Sequence, residues 1–499
     1  MAVHGVVSTG RRSIEGDRVG RLVAGVDSST QATKVVIVDA ETGLLAAEGR
    51  AAHTVSGRDG ARESEPRMWW RALADALATT GMARKVSAIS VAAQQHGLVA
   101  LDADGEPVRT AVLWNDTRAA RDAQNLVGAL GGPGRWADHI GSVPVAAFTV
   151  SSWAWLRRTD PDLADRVAGV RLPHDYLTEL LTGSAVTDRG DASGTGWWST
   201  RSGDYSDEVL GLPEVSLSRA ALPRVLGPGD VAGTVTGAAA RETGLPEGIP
   251  VGTGTGDNMA AALGIGLGPG QVAMSLGTSG TVLARAEEPT SDPEGVIAGF
   301  ADACGGYLPL ACTLNCTQAV DRLAGLLGID REAASDDTDL VVLPYLDGER
   351  TPDLPRAGGT ILGLRHDTDP GEILLAAYRG AVASLLQATA RIERLVPAIG
   401  PSSPLILIGG GARGATWQRT VSALSGRRVI VPKPVEFVAL GAAAQAAAAL
   451  GGPPAEQLAM SWARARPSRE ILPSHSDEVS MARIEAAISA ISALYADAD

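Results

Sequence analysis

Two strand–turn–strand units with small hydroxyl side chains in their turns constrain the fold of this chain most strongly. The first is GVDSSTQATKVVIVD, residues 25–39, and the second is QVAMSLGTSGTVLAR, residues 271–285. In each unit an apolar strand runs into a turn rich in Gly, Ser or Thr, and a second apolar strand follows. The units are similar in pattern more than in residue identity. They predict two related domains, with one of these units at the equivalent place in each.

Helices and short strands alternate between and after these units. Residues 86–93 are predicted to form a buried strand, and residues 404–432 a strand, a glycine-rich turn, a helix and a strand. A long helix is predicted over residues 369–395, with Asp369 as its N-cap and Glu372 completing a capping box. This alternation is typical of an α/β protein.

Length and charge bound the domain count and the kinds of partner. A chain of 499 residues is too long for one simple core. We expect a flexible N-terminal extension over residues 1–20, an N-terminal domain over residues 21–247 and a C-terminal domain over residues 248–495. The formal net charge of −14 argues against nucleic acid or an anionic membrane as a partner.

The cysteines and the apolar stretches predict a cytoplasmic protein. Cys304, Cys312 and Cys316 form no CxxC pair and are expected to be buried thiols in a reducing compartment. The first 20 residues lack the apolar core of a signal peptide. The most apolar stretch, residues 439–452, is too short and too rich in small residues to span a bilayer.

Two common nucleotide-binding motifs can be compared with the glycine-rich segments. None of the three lysines follows a glycine, so the GxxxxGK[ST] phosphate loop is absent. A GxGxxG pattern does occur at Gly409, Gly411 and Gly414, directly after the strand LILI, and this context suits dinucleotide binding. Such a site also needs an acidic residue at the end of the next strand, where this chain has Pro432 and Lys433. The dinucleotide interpretation therefore lacks its ribose anchor.

The two hydroxyl-rich turns, DSSTQATK and SLGTSGT, suit another kind of phosphate site. Backbone N–H groups and hydroxyls in two facing turns can hold a polyphosphate from both sides without a lysine loop. The alternative is a pair of ordinary hairpin turns, in which these residue types are common. Asp27, at the inner end of the first strand, favours the phosphate site. A buried carboxylate is costly unless paired, and a magnesium-bound phosphate is a good partner for it.

Seven segments, in this order, resemble the FGGY family of carbohydrate kinases, from Leu22 to about Tyr495. They are GVDSSTQATK, AQQHG (93–97), LWNDTR (113–118), LPHDYLTELLTG with TDRGDASGT (172–195), GTGDNMAAALG (254–264), SLGTSGT (275–281) and GGGARGATW (409–417). The resemblance implies an actin-like fold, with two ribonuclease-H-like domains and the active site in the cleft between them. Ser29 departs from the family pattern, which has glycine there. Either the turn keeps φ negative at Ser29, or its phosphate contacts differ.

The resemblance also implies the reaction and its residues. The expected reaction is ATP-dependent phosphorylation of D-xylulose at O5, which gives D-xylulose 5-phosphate and ADP. Asp257 would be the catalytic base, kept ionised by the N-terminus of the helix that follows it; the plain alternative is a helix N-cap. Asp27 would bind Mg²⁺, directly or through water. Phosphate and nucleotide contacts are expected from Thr30, Gln31, Lys34, Thr278, Gly410 and Gly411.

The sugar site is implied by the segments QQHG and WNDTR together with the residue after the base. The expected sugar-binding residues are Gln95, His96, Trp114, Asn115, Asp116 and Asn258. Trp114 would offer a flat apolar face, and the amide and carboxylate groups would bind hydroxyls. His96 has a plain alternative as a structural histidine.

Two other functions stay open at this point. Within the family, the substrate can be ribulose, a pentitol, gluconate or glycerol. Outside it, an actin-like nucleotide-binding protein needs no small substrate, but QQHG and WNDTR argue against it. The amphipathic helix predicted from about Glu478 to Tyr495 can pack on the second domain or form a homodimer.

Overall fold

The computed structural model describes residues 20–473 and 477–496, and of the predicted extension over residues 1–20 only Gly20 is among them. The described chain folds around two seven-stranded sheets. The first sheet contains β1 (Leu22–Ser28), β2 (Ala32–Asp39), β3 (Leu45–Ala52), β4 (Val86–Ala93), β5 (Val231–Thr234), β6 (Pro250–Gly252) and β7 (Thr255–Gly256). The second contains β8 (Val272–Leu276), β9 (Gly280–Ala284), β10 (Ala298–Ala301), β11 (Tyr307–Thr313), β12 (Leu405–Ile408), β13 (Val429–Pro432) and β14 (Ser468–Ile471).

Helices cover both sheets, and short two-stranded ribbons extend the loops. The helices are α1 (Pro66–Thr80), α2 (Ala120–Ala129), α3 (Pro133–Ile140), α4 (Thr149–Thr159), α5 (Pro161–Ala164), α6 (Pro173–Thr182), α7 (Arg189–Ser193), α8 (Asp207–Leu210), α9 (Gly237–Thr243), α10 (Asp257–Gly264), α11 (Thr317–Leu327), α12 (Pro370–Leu395), α13 (Ala415–Ser425), α14 (Phe437–Ala448), α15 (Ala455–Ala465) and α16 (Glu478–Ala496). The ribbons pair Glu63–Ser64 with Ala111–Val112, Val99–Leu101 with Gly169–Arg171, Val186–Asp188 with Arg224–Leu226, Trp198–Ser199 with Asp204–Tyr205, and Val341–Leu343 with Thr360–Leu362.

The two sheets repeat one core arrangement. In the first, β1 and β2 form an antiparallel hairpin, β3 extends it, and β4 lies parallel to β1 on the other side. In the second, β8 and β9 form the hairpin, β11 extends it, and β12 lies parallel to β8. The predicted repeat of two related α/β domains is therefore confirmed.

The first sheet continues past the predicted boundary between residues 247 and 248. Strands β6 and β7 both pair in parallel with β4. The chain therefore leaves the first sheet after Gly256 and enters the second at Val272, with α10 between them. Strands of only two or three residues show too little hydrophobic pattern to be predicted from the sequence.

Helix α14 connects the C-terminal half to the first sheet through close backbone contacts. A Cβ atom on Gly25 of β1 would lie 1.9 Å from the carbonyl oxygen of Ala439 in α14. One on Gly441 of α14 would lie 2.0 Å from the carbonyl oxygen of Ala260 in α10. Only residues without a side chain permit these approaches. Strand β1, α10 and α14 consequently form a tight floor beneath the site.

The second sheet is packed by α12 and by the tail helix. Helix α12 starts with the predicted capping box, in which Asp369 bonds the Gly371 amide and Glu372 bonds the Asp369 amide, at 2.7 and 2.8 Å. By length and hydropathy α12 could cross a membrane, but 78% of its most apolar window is buried inside the fold, as in a core helix. The tail helix α16 buries Ile484 and Ile488 against the ribbon strand 341–343. It therefore packs on its own chain.

The three cysteines are free thiols. Cys316 is buried, as predicted, whereas Cys304 and Cys312 are only half-buried. The prediction of three buried thiols is wrong in this respect, because β11 carries Cys312 to the wall of the cavity described next.

Candidate active site

A cavity of about 280 Å³ lies between the two halves of the chain. Its wall combines groups from the ends of β1 and β4, the start of α10, and strands β9 and β11 of the second sheet. Six of the predicted site residues line it: Thr30, Gln95, His96, Trp114, Asp257 and Asn258. The other predicted residues lie beside the cavity or away from it.

Asp257 is the first residue of α10, directly after β7. The side-chain amide nitrogen of Asn258 donates to the Asp257 carboxylate at 3.0 Å and to Gln95 Oε1 at 2.8 Å, which links Asp257 to the segment QQHG. Burial, then the charges of Asp27 and Asp191, raises the pKa of Asp257 to about 7. Burial thus opposes the expected effect of the helix N-terminus, and an ionised Asp257 stays a prediction. A base with a pKa near neutrality is better matched to proton transfer.

Asp27 is buried at the end of β1. The Ser29 hydroxyl donates to one carboxylate oxygen at 2.9 Å, and Lys34 Nζ lies 3.4 Å from the other. Burial raises the pKa of Asp27, and the nearby Lys34 charge opposes that effect. The charge of Asp27 in turn raises the pKa of Asp257. Two mutually repelling carboxylates supply the oxygen donors that Mg²⁺ prefers, so this part of the site fits a divalent cation.

The first turn differs in part from its predicted role. Lys34 Nζ bonds Glu436, just before α14, at 2.7 Å, so its ammonium group already has two carboxylate partners and joins the turn to the C-terminal half. Gln31 is exposed, and its carbonyl accepts the His53 amide at 3.0 Å. Ser29 is not one of the residues at which the described backbone has a positive φ. Of the two outcomes that the sequence left open, the turn with negative φ at Ser29 is the one observed.

His96 is held as a neutral hydrogen-bond acceptor. Its Nδ1 lies 2.7 Å from the Gly194 carbonyl, which can only accept, so Nδ1 carries the proton and Nε2 is left with a lone pair. The ring stacks on Phe148 at 5.0 Å between centroids. Burial lowers the pKa of His96 to about 4. A Cβ on Gly194 would lie 2.8 Å from the ring, so this position has room for glycine alone.

The segment WNDTR divides between the cavity and its support. Trp114 lines the cavity, and its indole N–H donates to the Thr30 hydroxyl at 3.1 Å. Asn115 is half-buried, and its Oδ1 has no hydrogen-bond partner in the described part of the chain. The Asp116 carboxylate is buried and held by Arg118 at 2.6 Å and by the Arg62 amide at 2.8 Å. Asp116 therefore fastens the loop and does not face the cavity.

The second turn is fixed to the start of α11. The Gly277 carbonyl accepts the Thr317 amide at 3.0 Å and the Thr317 hydroxyl at 2.8 Å. Thr278 is exposed at the tip of the turn, and its neighbours Ser279 and Thr281 line the cavity. The turn thus presents hydroxyl groups to the cleft, opposite those of the first turn.

The two glycines of the turn after β12 that were predicted to contact the nucleotide differ in exposure. Gly410 is exposed, and a Cβ added there would meet open space. Gly411 is buried, and a Cβ there would lie 2.7 Å from Thr317 and 2.9 Å from Leu276. The requirement for glycine at position 411 therefore arises from packing, and the open backbone surface belongs to Gly410.

A second cavity, of about 390 Å³, opens beside this turn. Gly409, Arg413, Lys433 and Phe437 are among the residues that line it. Neither Arg413 nor Lys433 forms an ion pair with an acidic group of residues 20–473 and 477–496. An apolar floor with two unpaired cations at its edge suits an anionic ligand that has a flat apolar part.

Family models match most of the chain. The N-terminal domain of the FGGY family of carbohydrate kinases matches residues 22–264, and its C-terminal domain matches residues 272–450. The chain belongs to the FGGY family of carbohydrate kinases. The change from one family domain to the other, between residues 264 and 272, coincides with the change of sheet after α10.

Two relatives and one solved structure that this FGGY chain resembles are xylulose kinases. The chain is 57% identical to the xylulose kinase of Streptomyces coelicolor and 56% identical to that of Streptomyces rubiginosus, each match covering 89% of this chain and 91% of the relative. The crystal structure of xylulose kinase from Bifidobacterium adolescentis is similar with a TM-score of 0.82 and 34% identity, over 94% of this chain and 99% of that one.

Among the cavity residues of this FGGY chain that were not predicted from its sequence are Phe148, Phe300 and Arg350. The chain has only three phenylalanines, and two of them form this wall. Arg350 is held by its neighbour Glu349, whose buried carboxylate accepts the amides of Leu314 and Arg350 at 2.6 and 2.8 Å. The adjacent charged residues Glu349 and Arg350 in the segment LDGERTPD (346–353) were the available signal.

Proposed function

We propose that the protein transfers the γ-phosphoryl group of ATP to O5 of D-xylulose, giving D-xylulose 5-phosphate and ADP. The observation that carries this proposal is the position of Asp257, which shares one cavity with Gln95, His96 and Asn258. Membership of a carbohydrate kinase family and the high identity to xylulose kinases support both the reaction class and the sugar.

Asp257 would act as the general base. As the O5 oxygen attacks the γ-phosphorus, the bond from that phosphorus to the bridging oxygen of ADP breaks, and the carboxylate takes the O5 proton. Phosphoryl transfer has a loose transition state, so positioning and charge neutralisation dominate and the proton leaves late. A carboxylate with a pKa of about 7 is strong enough for such a late transfer.

The sugar would be bound by a small set of fixed polar groups. His96 Nε2 can accept a hydrogen bond from a sugar hydroxyl, because Nδ1 already donates to the Gly194 carbonyl. Gln95 can donate a hydrogen bond to a sugar hydroxyl, because its buried Nε2 has no partner among the described residues. Phe148 and Phe300 supply an apolar surface for C–H groups. A pentose with alternating hydroxyl and C–H faces matches this combination.

The nucleotide would lie across the two turns. Asp27 is the residue that would hold Mg²⁺, which supplies neutralising charge on the β- and γ-phosphates when bound. Thr30 and the turn from Gly277 to Thr281 would contact phosphate oxygens, and the open backbone at Gly410 would support the adenosine. Arg413 and Lys433, in the 390 Å³ cavity beside Gly410, would contribute positive charge toward the bound nucleotide.

A cytoplasmic location and a homodimer stay predictions.

The test is coupled ADP release over a panel of D-xylulose, D-ribulose, xylitol, gluconate and glycerol, with a reaction lacking any sugar. We expect kcat/KM for D-xylulose to exceed the others by at least about tenfold, and ³¹P NMR to show the product phosphate on O5. A preference for another sugar would reassign the substrate. Equal ADP release with and without sugar would overturn the kinase function itself.

A further inference from the structure

A buried ion pair lies against β7, the strand that directly precedes the proposed base. His174, in the first turn of α6, has Nδ1 2.7 Å from Oδ2 of Asp191 in α7, and both side chains are fully inaccessible to solvent. The Asp175 carboxylate lies 3.4 Å from the same nitrogen. No step of the proposed reaction uses these groups.

Each carboxylate of this cluster has a defined partner. Asp188 accepts the amides of Gly190 and Asp191, both at 2.9 Å, and the hydroxyl of Thr255 at 2.7 Å. Asp175 accepts the Leu172 amide at 2.8 Å. Asp191 Oδ1, Asp175 Oδ1 and His174 Nε2 are buried without a hydrogen-bond partner among the described residues. Three carboxylates therefore surround one imidazole.

These surroundings keep His174 positively charged. Burial alone acts to lower its pKa, but Asp175, Asp191 and Asp188 outweigh burial and raise it to about 9. Strands β4 and β7, which lie against this part of the protein, carry no ionisable side chain. His174 is thus the cation that balances the cluster at pH 7.

The cluster touches the segment that ends at Asp257. A Cβ on Gly254 would lie 2.8 Å from His174 Cδ2, and one on Gly256 would lie 3.1 Å from Asp191 Oδ1. Between these two glycines, the Thr255 hydroxyl is bonded to Asp188. The backbone of residues 254–256 therefore lies directly on the His174–Asp191 pair, and the next residue is Asp257.

We propose that His174 is a positioning residue for phosphoryl transfer: its imidazolium neutralises Asp191 beneath residues 254–256 and so holds Asp257 at the wall of the cavity. The proposal rests on the proposed role of Asp257. The N–O separation of 2.7 Å is that of a hydrogen bond. Two ligands that each lie about 2.1 Å from one tetrahedral metal ion would be farther apart.

Three variants separate the charge from the packing. His174→Lys keeps a positive charge, His174→Gln keeps a polar group without charge, and the double variant His174→Gln with Asp191→Asn removes both charges together. We expect His174→Gln to lower kcat by about 10- to 100-fold, since small displacements of a catalytic group have effects of that size. KM for ATP should stay within about twofold. His174→Lys and the double variant should each recover most of the lost kcat.

Circular dichroism and melting temperatures confirm that the compared variants are folded. Equal kcat for wild type and His174→Gln would overturn the proposal, as would equal losses in His174→Gln and His174→Lys with intact folds. Should His174→Gln not fold, ¹⁵N-histidine NMR of the wild type decides: His174, assigned with His174→Lys, must stay an imidazolium at pH 8. A neutral ring at pH 8, or one equivalent of tightly bound metal lost in His174→Lys, would also overturn it. Failure of the proposed function looks different, because wild type would then show no sugar-dependent turnover.

Discussion

Replacing Asp257 with Asn should remove turnover and stabilise the protein at the same time. The amide keeps the shape of the side chain but cannot accept the proton of the attacking hydroxyl. General-base catalysis contributes about 10²–10⁴-fold, so kcat should fall by at least about 100-fold, which is about 2.7 kcal/mol in activation free energy. KM for ATP should change by less than about threefold, because the carboxylate serves the hydroxyl and not the nucleotide.

The expected gain in stability follows from the pKa of Asp257. Burial and the charges of Asp27 and Asp191 raise it from 3.8 to about 7. Because the folded pKa lies above the unfolded one, ionised Asp257 destabilises the fold fully above pH 7, and this penalty disappears as the pH falls toward 4. The difference corresponds to about 4 kcal/mol. Water in the cleft screens the half-buried carboxylate, so we expect about 2 kcal/mol at pH 8.

Melting temperatures at two pH values measure this effect, since a two-domain protein need not unfold in one step. Asp257→Asn should melt above wild type at pH 8 and close to it at pH 4.5. Asp39→Asn is the matched control: burial acts to raise the pKa of Asp39, but hydrogen bonds from Thr42 and Glu41 hold it below its ordinary value, so this variant should melt lower at pH 8. An Asp257→Asn enzyme with more than a tenth of wild-type kcat, or one that melts below wild type at pH 8, would refute the reasoning.

Three further results are expected. Gly194→Ala should raise KM for D-xylulose by about tenfold or more, because its Cβ would lie 2.8 Å from the His96 ring, whereas Gly128→Ala, whose Cβ meets open space, should leave KM unchanged in the same assay. Asp116→Asn should lower the melting temperature by weakening the Arg118 ion pair and change KM for D-xylulose by less than about twofold; a larger change in KM would return Asp116 to the sugar site. A pH profile of kcat/KM should fall below about pH 7 as Asp257 takes up a proton, and no second limb from His96 should appear between pH 5 and 8, because its pKa is lowered to about 4.

Features that short segments encode could be predicted from the sequence. The capping box of Asp369 and Glu372 spans four residues. The helix predicted after Asp257 is also local, because it lies within the segment GTGDNMAAALG. The hairpins at Asp27 and at Gly277 were visible because apolar strands flank a turn of small residues. In each case the relevant partners are near neighbours in the chain, so periodicity and turn chemistry were sufficient.

Features that depend on distant residues could not be predicted in this way. Burial raises the pKa of Asp257, and so do the charges of Asp27 and Asp191, which the fold brings near from far away in the sequence. The glycine requirement at Gly411 comes from Leu276 and Thr317. The Asp116 carboxylate could bind a sugar hydroxyl by its chemistry, but the Arg62 amide and Arg118 occupy it in the fold.

The floor formed by β1, α10 and α14 explains why both carboxylates of the site belong to one rigid unit. Asp27 is the next-to-last residue of β1 and Asp257 begins α10, while α14 packs against both elements through contacts at Gly25 and Gly441 that leave no room for a side chain. The ion pair between Lys34 and Glu436 adds a polar connection at the same place. Because interiors packed this closely deform little, the distance from Asp27 to Asp257 should change little when substrates bind. If the domains close, we therefore expect the second turn and Arg350 to move toward the two carboxylates, whose positions stay fixed. The rigid floor also holds the negative charges of Asp27 and Asp257 near each other, where a bound cation would neutralise them.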